Sequence, residues 1–193
     1  MGRKAIFFDR DGTLLVEMGY ISHPTLAVPY AFSAEAVKLA REHGFLVFVV
    51  TNQSGIARGW LAEDQLNAIH DRMVSSLAAH GASIDGIYYC PHHPEGTVEQ
   101  YRAACNCRKP AAELGRRAAA QHDIDLSRSF VIGDKISDIG FGKALGASSS
   151  LVRTGFGRAS EEVARISGIT PDHVADDVLE AVRWAVRRDG ERG

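Results

Sequence analysis

The sequence predicts an α/β fold in which helices cover both faces of a mainly parallel central sheet. Two observations lead to this prediction. Short apolar runs alternate along the chain with amphipathic stretches of helical length, and polar residues follow directly after several of the apolar runs. Strands of parallel sheets are buried on both faces, so they are almost entirely apolar. The predicted architecture is therefore a Rossmann-like three-layer sandwich.

Five runs rich in Val, Ile, Phe and Tyr have the composition of strands, at residues 5–8, 45–51, 84–89, 129–132 and 149–153. Four stretches between them have helical length and pattern, at residues 33–43, 62–80, 110–122 and 137–145. The connections are too short for a large additional cap, so we expect a minimal one. We predict a single domain over residues 1–186, with a cysteine-bearing loop at 90–107 and a disordered tail at 187–193.

Composition narrows the classes of function. With 193 residues and 45% hydrophobic content, the chain is long enough to bury a proper core in one domain. Its formal charge of −2 gives no reason to expect nucleic acid or an anionic membrane as a partner. The first apolar run is broken by Asp9, so we find no secretory signal and expect a cytoplasmic protein. The helices show no sustained apolar heptad pattern, and we expect a monomer.

Residues 9–13 carry the most chemical information. They place the carboxylates of Asp9 and Asp11 two positions apart, where a buried strand should end, so both can converge on one metal and one phosphate. Gly12 and Thr13 follow, and we expect a tight turn there to point backbone N–H groups at an anion. This arrangement is typical of a site for phosphoryl transfer.

Polar residues also follow two other predicted strands. Thr51 and Asn52 close the second run, and Gly133 with Asp134 closes the fourth. In parallel sheets the ligand binds outside the carboxyl ends of the strands, so these segments should meet at one edge. Each residue also has a simpler interpretation, because Thr-Asn after a strand is often a turn and Asp134 could be only the N-cap of the next helix.

Together these segments resemble the motifs of the haloacid dehalogenase superfamily of phosphatases, from Asp9 to about Arg153. Residues 9–13 resemble its first motif and residues 51–52 its second. Lys109 resembles the third, and residues 133–135 with Asp138 resemble the fourth. The resemblance implies that Asp9 is the nucleophile and Asp11 the general acid and base.

The residue types independently support this chemistry. A carboxylate can attack a phosphate monoester only if a cation screens both charges, and Mg²⁺ suits oxygen ligands: here Asp9, Asp134 and the backbone carbonyl of Asp11. Asp9 would form an aspartyl-phosphate while Asp11, initially protonated, protonates the leaving group. Lys109 would neutralise charge on the phosphoryl oxygens, although a lysine before proline is usually a surface residue. Thr51 and Asn52 would donate hydrogen bonds to those oxygens.

A second cluster contains all three cysteines of the chain. Cys90, His92, Cys105 and Cys107 can supply three thiolates and an imidazole, which suits a structural Zn²⁺ with four protein ligands. His93 competes with His92 as the imidazole ligand, and reduced thiols in a loop are the simpler interpretation. Because Arg108 and Lys109 follow Cys107 at once, a metal here would also fix the predicted catalytic lysine.

The chain also resembles one branch of the superfamily, the sugar-bisphosphate phosphatases of heptose and lipopolysaccharide biosynthesis, at residues 9–13, 19–20, 51–59, 90–94 and 105–110. The histidinol-phosphate phosphatases are a close alternative, and a non-catalytic zinc-stabilised binding module is a third. A bisphosphate needs a second anion site, for which Arg108 is the stronger candidate and Arg58 the weaker. The expected substrate contacts are Gly12, Thr13, Asn52, Gln53, Ser54, Arg58 and Arg108.

Overall fold

A six-stranded sheet with the order β3-β2-β1-β4-β5-β6 forms the centre of the molecule, in a computed structural model that describes residues 2–191. Every neighbouring pair of strands is parallel. The strands are β1 (Ala5–Phe8), β2 (Leu46–Asn52), β3 (Gly86–Cys90), β4 (Phe130–Gly133), β5 (Ser148–Val152) and β6 (His173–Ala175). The prediction of an α/β fold with a parallel sheet is confirmed.

Within the described residues, six α-helices connect and follow the strands: α1 (Ser33–Glu42), α2 (Glu63–Ala78), α3 (Glu113–His122), α4 (Ile136–Leu145), α5 (Gly157–Ser167) and α6 (Val178–Gly190). The five predicted strands and four predicted helices all occur, with ends shifted by a few residues. Strand β6 and helices α5 and α6 lie beyond the predicted elements. None of the helices within residues 2–191 combines the length and the apolar character needed to cross a membrane.

The C-terminal helix extends into the segment that was predicted to be a disordered tail. Helix α6 continues to Gly190, and the carboxylate of Asp189 accepts a hydrogen bond from Lys4 Nζ at 2.5 Å. Residues 187–190 are therefore helical, and the prediction of a tail from residue 187 is wrong for them. Residues 192 and 193, which the same prediction covered, lie outside the described part of the chain.

Side chains of β1 alternate between two hydrophobic cores because successive residues of a strand face opposite sides of the sheet. Ile6 and Phe8 belong to the core beneath α1, α2 and α6, whereas Ala5 and Phe7 belong to the core beneath α3 and α4. All four residues are fully buried. This double burial explains why the first strand is apolar throughout.

The strand order places a crevice at the carboxyl end of β1. In the sheet, β1 pairs with β2 on one side and with β4 on the other, so the connections that leave β1 and β4 diverge there. Phe8 is in register with Val49 of β2 and Ile132 of β4, and these strands therefore end at a common edge. Such a topological switch point is the expected ligand site of a parallel sheet.

Candidate active site

A buried lysine joins two carboxylates at this edge. Lys109 Nζ lies 2.6 Å from Asp9 Oδ1 and 2.6 Å from Asp138 Oδ1, and it donates to the Val50 carbonyl oxygen at 2.6 Å. Burial alone would lower the pKa of Lys109, but the carboxylates of Asp138 and Asp9 outweigh this effect, so the pKa is raised. Lys109 is therefore a fixed cation beside Asp9 and not a surface residue.

Asp134 completes a cluster of three carboxylates. Oxygen atoms of Asp9, Asp134 and Asp138 lie within 4.8 Å of one another. Burial, followed by the charge of Asp9, raises the pKa of Asp134 to about 8. Within residues 2–191 the Oδ1 atom of Asp134 has no hydrogen-bond partner, although the Lys135 ammonium lies 3.7 Å away. A crowded, all-oxygen donor set of this kind fits Mg²⁺.

The segment after β5 holds Asp134 in place. The Phe156 backbone N–H donates to Asp134 Oδ2 at 2.8 Å, and the Thr154 hydroxyl donates to the Gly12 carbonyl oxygen at 2.6 Å. Gly155 has φ 55°, and a Cβ atom at Gly155 or Gly12 would collide with Asp134 Oδ2. Sequence reasoning missed this segment. Its signal was a Thr-Gly pair directly after the fifth predicted strand, at residues 149–153.

Asp134 does not cap the following helix, which was the simpler interpretation of this residue. Lys135 is the N-cap of α4, and its backbone N–H donates to Asp138 Oδ2 at 2.9 Å. Asp138 therefore has two roles, since one oxygen caps α4 and the other pairs with Lys109. The carboxylate of Asp134 instead lies beside the carboxylates of Asp9 and Asp138.

The carboxylate of Asp11 is held apart from the cluster. Arg10 Nε and Nη2 donate to its two oxygens at 3.0 and 2.9 Å, and Gln53 Nε2 donates to Oδ2 at 2.9 Å. The side chain of Asp11 is therefore directed toward Arg10 and Gln53, and the metal ligand predicted from this residue was its backbone carbonyl. Gln53 Nε2 also donates to Thr51 Oγ1 at 2.8 Å. The amide of Gln53 thus orients Asp11 and Thr51, a role different from the substrate contact predicted for it.

Asn52 fixes the backbone of Lys109. Its Nδ2 donates to the Lys109 carbonyl oxygen at 3.1 Å, and its Oδ1 accepts from the Lys109 N–H at 3.0 Å. The side chain is largely committed to this pair, which explains how Lys109 reaches Asp9 from a loop. Thr51, next to Asn52, lines a recess of about 40 Å³ together with Asp9 and Lys109.

Neither Gly12 nor Thr13, both predicted to contact the substrate, lines the pocket beside Asp11 and Lys109. The Gly12 N–H donates to the Leu15 carbonyl oxygen at 2.8 Å, so it is not free for an anion. The side chain of Thr13 is fully buried and does not line the pocket. Gly12 is needed for a different reason, because its positive φ of 82° and its lack of a side chain leave space for Asp134.

Three thiols and an imidazole converge next to the end of β3. The Sγ atom of Cys90 lies 3.5 Å from that of Cys105 and 3.2 Å from that of Cys107, and the last two are 3.3 Å apart. His92 Nδ1 lies 3.3 Å from Cys107 Sγ. All four donor atoms fall within 4.8 Å of one another, which is close to the size of a tetrahedral Zn²⁺ site.

The alternative ligand, His93, faces away from the thiols. Its Nε2 lies 3.2 Å from Arg58 Nη2. Arg108, which follows Cys107, donates from Nη1 to the His92 carbonyl oxygen at 3.4 Å. The cysteine cluster therefore adjoins the residues that lead to Lys109.

A pocket of about 340 Å³ opens beside Asp11 and Lys109. Of the predicted substrate contacts, Asn52, Gln53, Ser54 and Arg108 line it, whereas Arg58 does not. The wall also contains residues that were not predicted as substrate contacts, chiefly Glu17, Tyr20, Trp60, Lys135 and Phe156. Most of these residues lie in loops, and the sequence does not indicate the path that a loop takes.

Several proteins with similar sequences are named as heptose-1,7-bisphosphate 7-phosphatases. A profile of the family described as "HAD-hyrolase-like" matches residues 106–181. The D-glycero-beta-D-manno-heptose-1,7-bisphosphate 7-phosphatase of Haemophilus ducreyi is 42% identical over 157 residues, which is 80% of this chain and 86% of that protein. The D-glycero-D-manno-heptose-1,7-bisphosphate 7-phosphatase of Thermosynechococcus vestitus is 39% identical over 95% of this chain and 96% of its own length.

Solved structures agree with these similarities. The D,D-heptose 1,7-bisphosphate phosphatase from B. bronchiseptica, complexed with magnesium and phosphate, matches with a TM-score of 0.83 and 31% identity over 96% of this chain and 99% of that one. The fold and the carboxylate site define a hydrolase of the haloacid dehalogenase superfamily. Within that superfamily, the chain belongs to the D-glycero-D-manno-heptose-1,7-bisphosphate 7-phosphatase family. The resemblance inferred from the sequence is confirmed.

Proposed function

We propose that this protein removes the 7-phosphate of D-glycero-D-manno-heptose 1,7-bisphosphate through an aspartyl-phosphate formed on Asp9. One observation carries the proposal: the Asp9 carboxylate lies at the end of β1, paired with Lys109 and clustered with Asp134 and Asp138. A carboxylate nucleophile and a phosphate dianion repel each other unless fixed cations screen them. The names of the relatives indicate the sugar substrate.

The residues divide the reaction into two displacements. Asp9 attacks phosphorus in line, the bond from phosphorus to the sugar oxygen breaks, and Asp11 gives its proton to the departing alkoxide. Asp11 then removes a proton from a water molecule, which attacks phosphorus and frees phosphate and Asp9. Lys109 and the Thr51 hydroxyl stabilise charge on the phosphoryl oxygens throughout.

Two metals fit the side chains that the fold brings together. Mg²⁺ would be held by Asp9, Asp134 and the backbone carbonyl of Asp11, and when bound it supplies positive charge to the phosphoryl group. Zn²⁺ would be held by Cys90, His92, Cys105 and Cys107 in a structural role.

The remaining expectations concern the substrate and its compartment. Arg108 lines the pocket and offers a guanidinium fork, so it would bind the second phosphate. The substrate is a small molecule, and a monomer contains all the residues named for the reaction. We place the activity in the cytoplasm, where thiolates remain reduced and available to zinc.

The deciding experiment compares kcat/KM for both anomers of the heptose bisphosphate and for histidinol phosphate, with Mg²⁺ present. We expect the heptose bisphosphate to be preferred by at least tenfold, that is by about 1.4 kcal/mol. A preference for histidinol phosphate would overturn the substrate assignment. Asp9→Asn should abolish phosphate release, and release equal to that of the unmodified protein would contradict the nucleophile. Absence of turnover on every substrate would favour the binding module.

A further inference from the structure

Three aromatic side chains stand half-exposed around the mouth of the pocket. Tyr20, Trp60 and Phe156 are 52%, 53% and 49% exposed, and all three line the pocket beside Asp11 and Lys109. Aromatic side chains of this size are normally buried far more deeply, so an exposed group of them indicates a surface that a ligand covers.

Two of these rings pack against each other and form one wall of the pocket. The ring centroids of Tyr20 and Trp60 are 4.4 Å apart and the rings are nearly perpendicular, at 87°. Tyr20 also packs on the backbone of Gly55, where an added Cβ atom would lie 3.4 Å from its ring. The contact fixes both rings relative to the loop that follows Thr51 and Asn52.

Arg58 supports this wall from outside the pocket. Its guanidinium carbon lies 5.4 Å from the centroid of the Trp60 ring, within the range of a cation–π contact. On its other side Nη2 lies 3.2 Å from His93 Nε2, in the cysteine-bearing loop. Arg58 therefore links that loop to Trp60, and its position does not suit a phosphate ligand in the pocket.

We propose that Tyr20 and Trp60 are the specificity-determining residues for the sugar ring and that Arg58 is a positioning residue for Trp60. The assignment rests on the proposed function. With the scissile phosphate beside Asp9, the rest of the substrate extends along the pocket toward the aromatic wall. The C–H face of a pyranose ring packs on aromatic rings, whereas a short acyclic phosphate ester does not extend far enough to cover them.

The test measures selectivity. For the unmodified protein, Trp60→Ala and Arg58→Met, kcat/KM is measured on the heptose bisphosphate and on glycerol 2-phosphate, which has no ring. We expect the ratio of the two values to fall about tenfold in Trp60→Ala, through a higher KM for the bisphosphate, and about threefold in Arg58→Met. Arg58→Lys, which keeps the cation, should restore most of the ratio. Val28→Ala, which removes an exposed apolar group outside the pocket, is the matched control.

The assignment would be overturned if the ratio of the two kcat/KM values in Trp60→Ala stays within twofold of that in the unmodified protein, or if it falls equally in Val28→Ala. A binding measurement separates this outcome from failure of the proposed function. The chain has two tryptophans, so Trp184→Phe leaves Trp60 as the sole reporter, and Asp9→Asn prevents turnover. We expect the bisphosphate to change the fluorescence of this double variant. If the protein does not hydrolyse the heptose bisphosphate, the same fluorescence measurement is made with hexose 6-phosphates. Unchanged fluorescence with these compounds would overturn the assignment of Tyr20 and Trp60.

Discussion

At the scale of single residues, the site depends on side chains that hold other side chains. Asn52 fixes the Lys109 backbone through two hydrogen bonds, and Lys109 then reaches Asp9 and Asp138 in a buried setting. A buried lysine is costly unless it is paired, and here two carboxylates and a carbonyl oxygen satisfy it. The ammonium is thereby positioned before substrate arrives, which is the arrangement that favours a charged transition state.

Gln53 provides a test at this scale. Gln53→Ala removes one of the donors to Asp11 and the donor to Thr51, so Asp11 would be oriented by Arg10 alone. Loss of a hydrogen bond to a charged group costs about 1.5–3 kcal/mol, and we expect kcat to fall by about ten- to a hundredfold. KM should change little, because Gln53 acts through Asp11.

Steady-state kinetics on the heptose bisphosphate measure the two parameters separately. Asn67→Ala, which removes an exposed amide from α2, is the control and should leave both unchanged. A rise in KM with unchanged kcat would show that Gln53 binds substrate in the manner predicted from the sequence.

At the scale of elements, five segments that follow strands β1 to β5 build the site. The segment after β5 contributes no carboxylate, yet it fixes both Asp134 and the turn at Gly12. It also brings Phe156 to the pocket wall. One short connection thus contacts both the Asp134 carboxylate and the wall of the pocket.

Thr154→Val tests the role of this connection. The substitution keeps the shape of the side chain and removes the hydrogen bond to Gly12, so the backbone near Asp134 should become less well defined. We expect Mg²⁺ affinity, measured by isothermal titration calorimetry without substrate, to weaken about tenfold, in the range found for residues that support metal ligands. Thr170→Val, at an exposed position, should bind Mg²⁺ as the unmodified protein does. Equal affinity in both variants would contradict the role.

The cysteine-bearing loop provides a second test at this scale. If Zn²⁺ joins Cys90, His92, Cys105 and Cys107, a zinc-selective chelator added in excess Mg²⁺ should lower both Tm and kcat, because Lys109 follows the last ligand. Added Zn²⁺ should restore both values. Elemental analysis of the purified protein checks the metal directly, and full activity in zinc-free protein would refute a link between the loop and catalysis.

At the scale of the whole molecule, the strand order concentrates the chemistry at one crevice. Strand β1 is central, and the connections after β1 and β4 leave the sheet edge in different directions. Asp9 and Asp134 therefore meet although they are far apart in the sequence.

His70 makes stability depend on pH. Burial, and secondarily the charge of Arg10, lowers its pKa to about 3. In the unfolded chain His70 takes up a proton near its ordinary pKa of about 6.5, whereas in the folded protein it stays neutral until a much lower pH. The contribution of neutral His70 to the free energy of unfolding is therefore fully present above about pH 6.5 and is lost as pH falls toward 3. Each pH unit in this window removes about 1.4 kcal/mol of stability.

His70→Gln should remove this part of the pH dependence. Between pH 6.5 and 5 the unmodified protein should lose about 2 kcal/mol more of its free energy of unfolding than the variant does. Urea unfolding at the two pH values measures the difference. His80→Gln, at an exposed position, should behave as the unmodified protein, and an equal loss in all three proteins would refute the assignment.

The sequence predicted the features that depend on strand ends and residue chemistry. Asp9 and Asp134 each follow a buried strand and Thr51 lies near the end of another, and the parallel sheet places such residues at one edge. The direction of side chains could not be read in the same way. Arg10 and Gln53 hold Asp11 apart from the other carboxylates, and the Gly12 N–H bonds to Leu15, because of contacts made only after folding. Strand β6, with three residues, was too short for its periodicity to be recognised.

The central claim is that Asp9 carries the phosphoryl group between the two displacements. Rapid mixing with the heptose bisphosphate and Mg²⁺, followed by an acid quench and mass spectrometry, measures this directly. We predict a transient population heavier by one phosphoryl group, located on the peptide that contains Asp9 and missing from Asp9→Asn. Turnover without any phosphorylated protein, or with the group on another residue, would contradict the account.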